Sequence, residues 1–98
     1  MTDIDQFRAS LSDSAPPAGT DLALQALWWA GKGEWHRAHS CAQQGEGEPA
    51  CDLVHAHLHR QEGDLANARY WYGRAGREVA SSPLPEEWDV IAADLLRR

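Results

Sequence analysis

The stretch GDLANARYWYGRA, residues 63–75, decides the fold. Gly63 permits a tight turn, and Asp64 is a residue type that begins a helix by accepting a hydrogen bond from the backbone. Residues that can pack then recur at helical spacing: Leu65, Ala68, Trp71, Tyr72 and Ala75. The stretch therefore predicts a turn followed by an amphipathic α-helix.

The same pattern occurs 30 residues earlier in the chain. The matched pairs are Leu24 with Val54, Ala26 with Ala56, Gly33 with Gly63, Glu34 with Asp64, Trp35 with Leu65, and Ala38 with Ala68. The small residues let two antiparallel helices approach closely, and the glycines permit the turn between them. This internal repeat predicts two helical hairpins, at residues 20–45 and 49–77.

The second hairpin resembles the tetratricopeptide repeat family. Its residues follow that family's order of small, large, glycine, large, small, aromatic and small positions: Ala56, His59, Gly63, Leu65, Ala68, Tyr72 and Ala75. The Trp71-Tyr72 pair and the basic residue after it are also similar to the Sel1-like variant. The first hairpin departs from the pattern, with Gly45 where an alanine is expected. The resemblance implies a fragment of an α-solenoid.

Two further helices are predicted outside the hairpins. A helix over residues 3–13, capped by Thr2, is predicted from an apolar stripe formed by Ile4, Phe7 and Leu11. A helix over residues 84–97 is predicted from a second apolar stripe, formed by Trp88, Ile91 and Leu95. Two repeats bury too little surface alone, because about three are normally needed. We therefore expect the first helix to cover the first hairpin and the last helix to cover the second, in an all-α fold of six helices.

Composition narrows the function classes. Ninety-eight residues with 43% hydrophobic content fit one domain over residues 1–98. No apolar run is long enough to span a membrane, and the acidic, polar N-terminus is unlike a signal peptide, so we expect a cytoplasmic protein without membrane contact. The net charge of −6 disfavours nucleic-acid binding. Cys41 and Cys51 are too few for a disulfide scaffold and should be reduced thiols.

Two tryptophans stand side by side in the first hairpin. Trp28 and Trp29 are neighbours on one helix, so their side chains point about 100° apart. At least one of them is therefore expected to be partly exposed.

In the tetratricopeptide family, the first helix of each hairpin lines a concave groove that receives an extended peptide or a partner helix. Carried over by position, the groove residues are Ala23, Leu27 and Ala30 from the first hairpin and Leu53, His57, Arg60 and Gln61 from the second. This groove is apolar at one end and cationic at the other. We therefore expect a protein-binding adaptor without catalysis or cofactor, whose partner carries an apolar anchor and an acidic group near Arg60.

Histidines are the main chemical feature that the adaptor hypothesis does not use. They lie close together in sequence: His36, His39, His55, His57 and His59. His55 and His59 share a helix face, and Cys41 could add a thiolate ligand for a metal. No Cys-x-x-Cys or His-Glu-x-x-His spacing accompanies them, which favours structural histidines and no metal. The alternatives are a small metal- or thiol-dependent enzyme, and a structural subunit that only self-associates, for example as a homodimer.

Overall fold

The computed structural model describes residues 3–98, and within that range the chain is all-helical, without a strand. The helices are α1 (Ile4–Ala9, continued by a 3-10 turn at Ser10–Ser12), α2 (Leu22–Gly31), α3 (Trp35–Gln44), α4 (Pro49–Gln61), α5 (Leu65–Ala75) and α6 (Leu84–Leu96). The predicted all-α fold with six α-helices is confirmed for the described residues. Each helix lies inside the segment that was predicted for it.

Polar side chains cap the starts of three of these helices, α1, α2 and α5. The Asp64 carboxylate accepts a hydrogen bond from the backbone N–H of Asn67 at 3.2 Å, which satisfies a donor that the first turn of α5 leaves unpaired. The predicted cap Thr2 lies outside the described residues. Within them, α1 begins at a capping box formed by Asp3 and Gln6.

The two hairpins, α2 with α3 and α4 with α5, turn in the same way. The turns use matched backbone hydrogen bonds of 2.9–3.1 Å: Gly33 to Ala30, Glu34 to Trp29, Gly63 to Arg60, and Asp64 to His59. Gly33 and Gly63 have φ of 79° and 84°, a conformation that residues with a Cβ rarely adopt. The 30-residue repeat is therefore present in the backbone as well as in the sequence.

Gly45, the departure from the tetratricopeptide pattern, lies where the end of α3 meets the start of α4. A Cβ at this position would overlap with the sulfur of Cys51. Because both residues are buried, neither can move away into solvent. An alanine is thus excluded by packing, and the missing side chain lets the two hairpins approach closely.

The terminal helices meet on one face of the molecule. α6 packs across both α2 and α4, and α1 packs against α6. The rings of Phe7 in α1 and Trp88 in α6 stack with centroids 5.6 Å apart, and Trp88 Nε1 donates to the carbonyl of Leu27 at 2.8 Å. The expectation that the last helix covers the second hairpin is therefore corrected, because α6 covers the first helices of both hairpins. The segment that continues α1 does contact the first hairpin, where Trp28 Nε1 donates to Ser10 Oγ. α4 becomes the central helix, buried from Cys51 to His59.

Candidate functional site

α6 lies on the face that α2 and α4 share. The predicted groove residues that border α6 there are Leu27, Ala30, Leu53, His57, Arg60 and Gln61. The residues of the whole predicted set that are at most 5% exposed are Ala23, Leu27, Ala30, Leu53 and His57. Arg60 is partly buried and Gln61 is exposed, so both lie toward the edge. We call this face the α2–α4 groove. Its apolar floor is covered by the chain's own C-terminal helix.

The cationic end of the α2–α4 groove holds a carboxylate from α6. Glu87 is 4% exposed, and both Arg60 Nη1 and His57 Nδ1 donate to its Oε1 at 2.7 Å. The hydroxyl of Tyr72, from α5, donates to Oε2. Directly after Glu87 comes Trp88, which is buried against the groove. The helix in the groove thus carries the apolar anchor and the acidic group that were predicted for a partner.

The neighbours of Glu87 keep it charged. Burial alone would raise the pKa of this carboxyl, but the hydrogen bonds from His57, Tyr72 and Arg60 outweigh it, and the pKa of Glu87 lies below its ordinary value. Burial, together with the adjacent carboxylate, raises the pKa of Tyr72 well above its ordinary value, so its hydroxyl stays a donor. The charged state of Glu87 and the donor roles of His57, Arg60 and Tyr72 therefore depend on one another.

A pocket of about 360 Å³ remains open beside α6. Its wall includes Ala30, His57 and Gln61 of the groove together with Trp88 of α6. This volume lies at the lower end of the range found for small-ligand sites. The α2–α4 groove is therefore filled by α6 only in part.

Three histidines meet on the other side of α4. His39 of α3 and His55 and His59 of α4 each bring a ring nitrogen to within 4.8 Å of the others. Nε2 of His39 and Nε2 of His55 are 2.9 Å apart, and Nδ1 of His59 donates to Glu62 Oε1 at 2.6 Å. We call these three residues the histidine cluster. The predicted shared face of His55 and His59 is confirmed, and α3 supplies the third ring.

Two tryptophans form walls of the histidine cluster. Trp71 of α5 stacks on His55 with ring centroids 3.8 Å apart, and Trp35 of α3 stacks on His39 at 4.8 Å. Burial, with a smaller contribution from nearby cationic groups, lowers the pKa of His55 to about 4, and burial also lowers the pKa of His39. Both rings are therefore neutral at pH 7.

The cysteines do not join the histidine cluster. Cys41 borders a separate surface pocket together with His36, so it is not placed to add a thiolate ligand. The thiol of Cys51 lies 3.9 Å from Glu48 Oε2, and burial raises its pKa to about 11. A thiolate nucleophile at neutral pH is thus disfavoured at Cys51.

Sequence reasoning missed two residues of these sites, Glu87 and Glu62. Acidic residues are ordinary in the first turn of a helix, where they interact well with its dipole, so Glu87 gave no separate signal. Glu62 follows His59 by three residues, a spacing that places two side chains side by side on a helix. That spacing could have indicated the pairing of Glu62 with His59.

The α2–α4 groove and the histidine cluster are two places where the described side chains converge on a specific chemistry. Within residues 3–98, no helix combines the length and the apolar character that crossing a bilayer requires. Comparisons of the chain with protein-family models, with curated proteins and with solved structures give no match.

Proposed function

We propose that this chain is a protein-binding adaptor of tetratricopeptide type, whose ligand is a partner helix that docks on the α2–α4 groove. The docking of α6 is the observation that carries the proposal. The groove holds this amphipathic helix through the apolar anchor Trp88 and the acidic group Glu87. A partner helix with an acidic residue directly before a large aromatic residue would make the same contacts.

The way in which α6 is attached supports its release. A non-helical segment over residues 76–83 connects it to α5, and Gly76 leaves α5 in a left-handed conformation, with φ of 72°. Its outer contacts are partly exposed ion pairs: Arg8 with Asp89, Arg77 with Asp94, and Arg98 with Asp21. Such pairs contribute little to stability. Release of α6 is therefore resisted mainly by its contacts inside the groove and by the stacking of Trp88 on Phe7 of α1.

The contact in the groove is of a kind suited to recognition. A buried ion pair is often no more stabilising than apolar side chains of the same volume, so a helix that served only as a cap would not need Glu87. The carboxylate instead requires three donors in fixed positions, on Arg60, His57 and Tyr72. We infer that α6 is an internal ligand, with which the partner helix competes.

This competition sets the affinity for a partner. If α6 docks with about 3 kcal/mol, the groove is open in fewer than about 1% of molecules, and a partner binds about 150-fold more weakly than it would to an open groove. Anything that loosens α6 should then raise the affinity by up to the same factor.

The test separates α6 from the chain without removing it. A protease site is introduced after the exposed Val79, the folded chain is cut, and a fluorescent peptide of residues 83–98 is added. We expect the peptide to exchange with the cut segment and bind one to one, as measured by fluorescence anisotropy. Peptides with Glu87→Gln or Trp88→Ala should bind at least about 10-fold more weakly, since each loses a buried contact.

A peptide with Glu86→Gln is the matched control, because Glu86 precedes Glu87 and is exposed. It should bind like the unchanged peptide. Two results would count against the proposal. Either the cut chain stays folded and never exchanges its own segment, or it unfolds as soon as the segment leaves. In both cases α6 is a permanent part of the core.

The structural-subunit hypothesis makes use of the same groove. The α6 of a second copy could fill it, which would give a swapped homodimer. Light scattering over a range of concentrations separates this state from a monomer.

We also keep the cytoplasm as the proposed compartment, since Cys41 and Cys51 are both free thiols.

A further inference from the structure

We propose that His39, His55 and His59 bind one zinc ion, with Glu62 orienting His59. This inference goes beyond the binding of a partner. It is also independent of it, because the histidine cluster faces α3 and α5, whereas the α2–α4 groove lies on the side of α4 that faces α6.

The spacing of the rings suits a tetrahedral ion. Zinc–nitrogen bonds of about 2.0–2.1 Å place two ligand nitrogens about 3.3 Å apart in tetrahedral geometry. In the histidine cluster, one pair of nitrogens is 2.9 Å apart and all ligand nitrogens lie within 4.8 Å of one another. The His39–His55 separation is thus close to that of two ligands of one tetrahedral ion, and the other separations exceed the tetrahedral value by at most about 1.5 Å.

Glu62 has the position of a residue that orients a metal ligand. A histidine that binds zinc usually donates its other ring N–H to a carboxylate or a carbonyl, which fixes the tautomer and the ring plane. Nδ1 of His59 donates to Glu62 Oε1 at 2.6 Å. His59 therefore has Nε2 left to bind the metal.

The buried ring of His55 is poorly explained as a purely structural group. It is 2% exposed, its Nε2 is hydrogen-bonded to His39, and within the described part of the chain its Nδ1 has no partner. A buried polar ring with a single hydrogen bond is destabilising. The ion would bond to Nε2, the atom that faces Nε2 of His39, so the stabilisation would come from the metal–nitrogen bond and Nδ1 would stay without a partner.

Three imidazoles favour zinc and its neighbours in the first transition series over magnesium or calcium, which prefer oxygen. They also leave a fourth position for water or for a side chain from another molecule. A second group of possible ligands shares one ring with the cluster: His59, Glu62 and Asp64. Both of its carboxylates are exposed and Asp64 already caps α5, so we assign the ion to the three histidines.

The experiment titrates the full chain, purified without a histidine tag, with zinc in competition with a chromophoric chelator. We expect binding of one ion per chain. His39→Ala should weaken it by more than about 100-fold, since loss of a ligand costs more than loss of a residue that orients one. Glu62→Gln should weaken it by about 10- to 100-fold. Cobalt should bind with the intense visible absorption of a tetrahedral site.

Two variants serve as controls. His36→Ala removes an exposed histidine of the same helix, and Asp64→Asn removes a charge from the competing group while keeping a residue that can cap α5. Neither should change zinc affinity. Circular dichroism confirms that each variant is folded, and His39 is chosen over His55 because it is only partly buried.

Zinc should also raise the melting temperature of the wild-type chain, and of His36→Ala, by roughly 10 to 20 °C at a concentration about 100-fold above the dissociation constant. The inference is overturned if no stoichiometric ion binds. It is equally overturned if His36→Ala or Asp64→Asn weakens binding as much as His39→Ala does. Either result leaves the proposed groove untouched, since the peptide-exchange experiment does not involve the cluster.

Discussion

Replacing Glu87 with alanine is expected to lower the free energy of unfolding by about 3 kcal/mol, at the lower end of the range for breaking a buried ion pair. The substitution removes the acceptor of the buried Tyr72 hydroxyl and of Arg60 Nη1, and it leaves the partly buried guanidinium with the carbonyl of Ser82 but without its counter-charge. A partly buried charge that loses its partner destabilises the fold more than the intact pair stabilises it, which places the loss at the lower end of that range. Release of α6 re-exposes these groups, so the docking free energy of α6 limits the loss.

Urea unfolding followed by tryptophan fluorescence measures this change. Glu86→Ala is the control, because Glu86 is the exposed neighbour on the same turn, and it should change the free energy of unfolding by less than about 0.5 kcal/mol. Equal losses in the two variants would mean that the buried contacts of Glu87 do not hold α6.

The dependence of the free energy of unfolding on pH is a second test of the contacts that Glu87 makes. Because the pKa of Glu87 is lowered in the folded chain, its stabilising contribution is present above the unfolded value of 4.5 and is lost as the pH falls through the lower folded value. The wild-type chain should show this loss, and the Glu87→Ala variant should lack it.

Replacing Trp28 with alanine is expected to lower the free energy of unfolding by about 3 to 5 kcal/mol, the usual range when a large buried aromatic is truncated. Trp28 is fully buried, and its Nε1 donates to Ser10 Oγ at 2.9 Å. The substitution opens a cavity and also leaves this hydroxyl without its donor. Thermal and urea unfolding of the variant measure the loss.

Trp29 is the matched control for Trp28, since it is the same residue type one position along the same helix. It is partly exposed, with its ring edge-on to Trp28 and the guanidinium of Arg37 4.7 Å from its centre. Trp29→Ala should cost about 1 kcal/mol, the size of a cation–π contact and a partial burial. A loss as large as that of Trp28→Ala would contradict the assignment of Trp28 to the core.

Trp28 and Trp29 show how much of the core can be predicted from the sequence. Helix geometry predicts that one of them is partly exposed, and this is confirmed. Which one is buried depends on where α1 lies, because Ser10 supplies the acceptor for Trp28. That placement is a tertiary contact between segments that no local spacing relates.

The α2–α4 groove was likewise predictable from the sequence in part. The 30-residue repeat was sufficient to place Leu27, Leu53 and His57 on one face, because matched helices of a repeat lie side by side. That α6 covers this face could not be predicted. Its acidic residue has the ordinary position for a first turn, and its stripe of Trp88, Ile91 and Leu95 fits any apolar face.

The histidine cluster was predictable in part. The spacing of four residues places His55 and His59 together on α4. The addition of His39 depends on how α3 packs on α4, and this packing is close because Gly45 lacks a side chain where Cys51 lies. A spacing rule on one helix contains no information about such a contact between helices.

Hydrogen exchange of the unmodified chain tests most directly the claim that α6 is a releasable occupant of the groove. If α6 leaves while the hairpins stay folded, its backbone amides exchange by a local opening that is easier than global unfolding. We predict that amides of residues 88–96 exchange at least about 10-fold faster than those in the middle of α4. Equal protection of the two helices would show that α6 opens only when the whole chain unfolds, and would contradict the account.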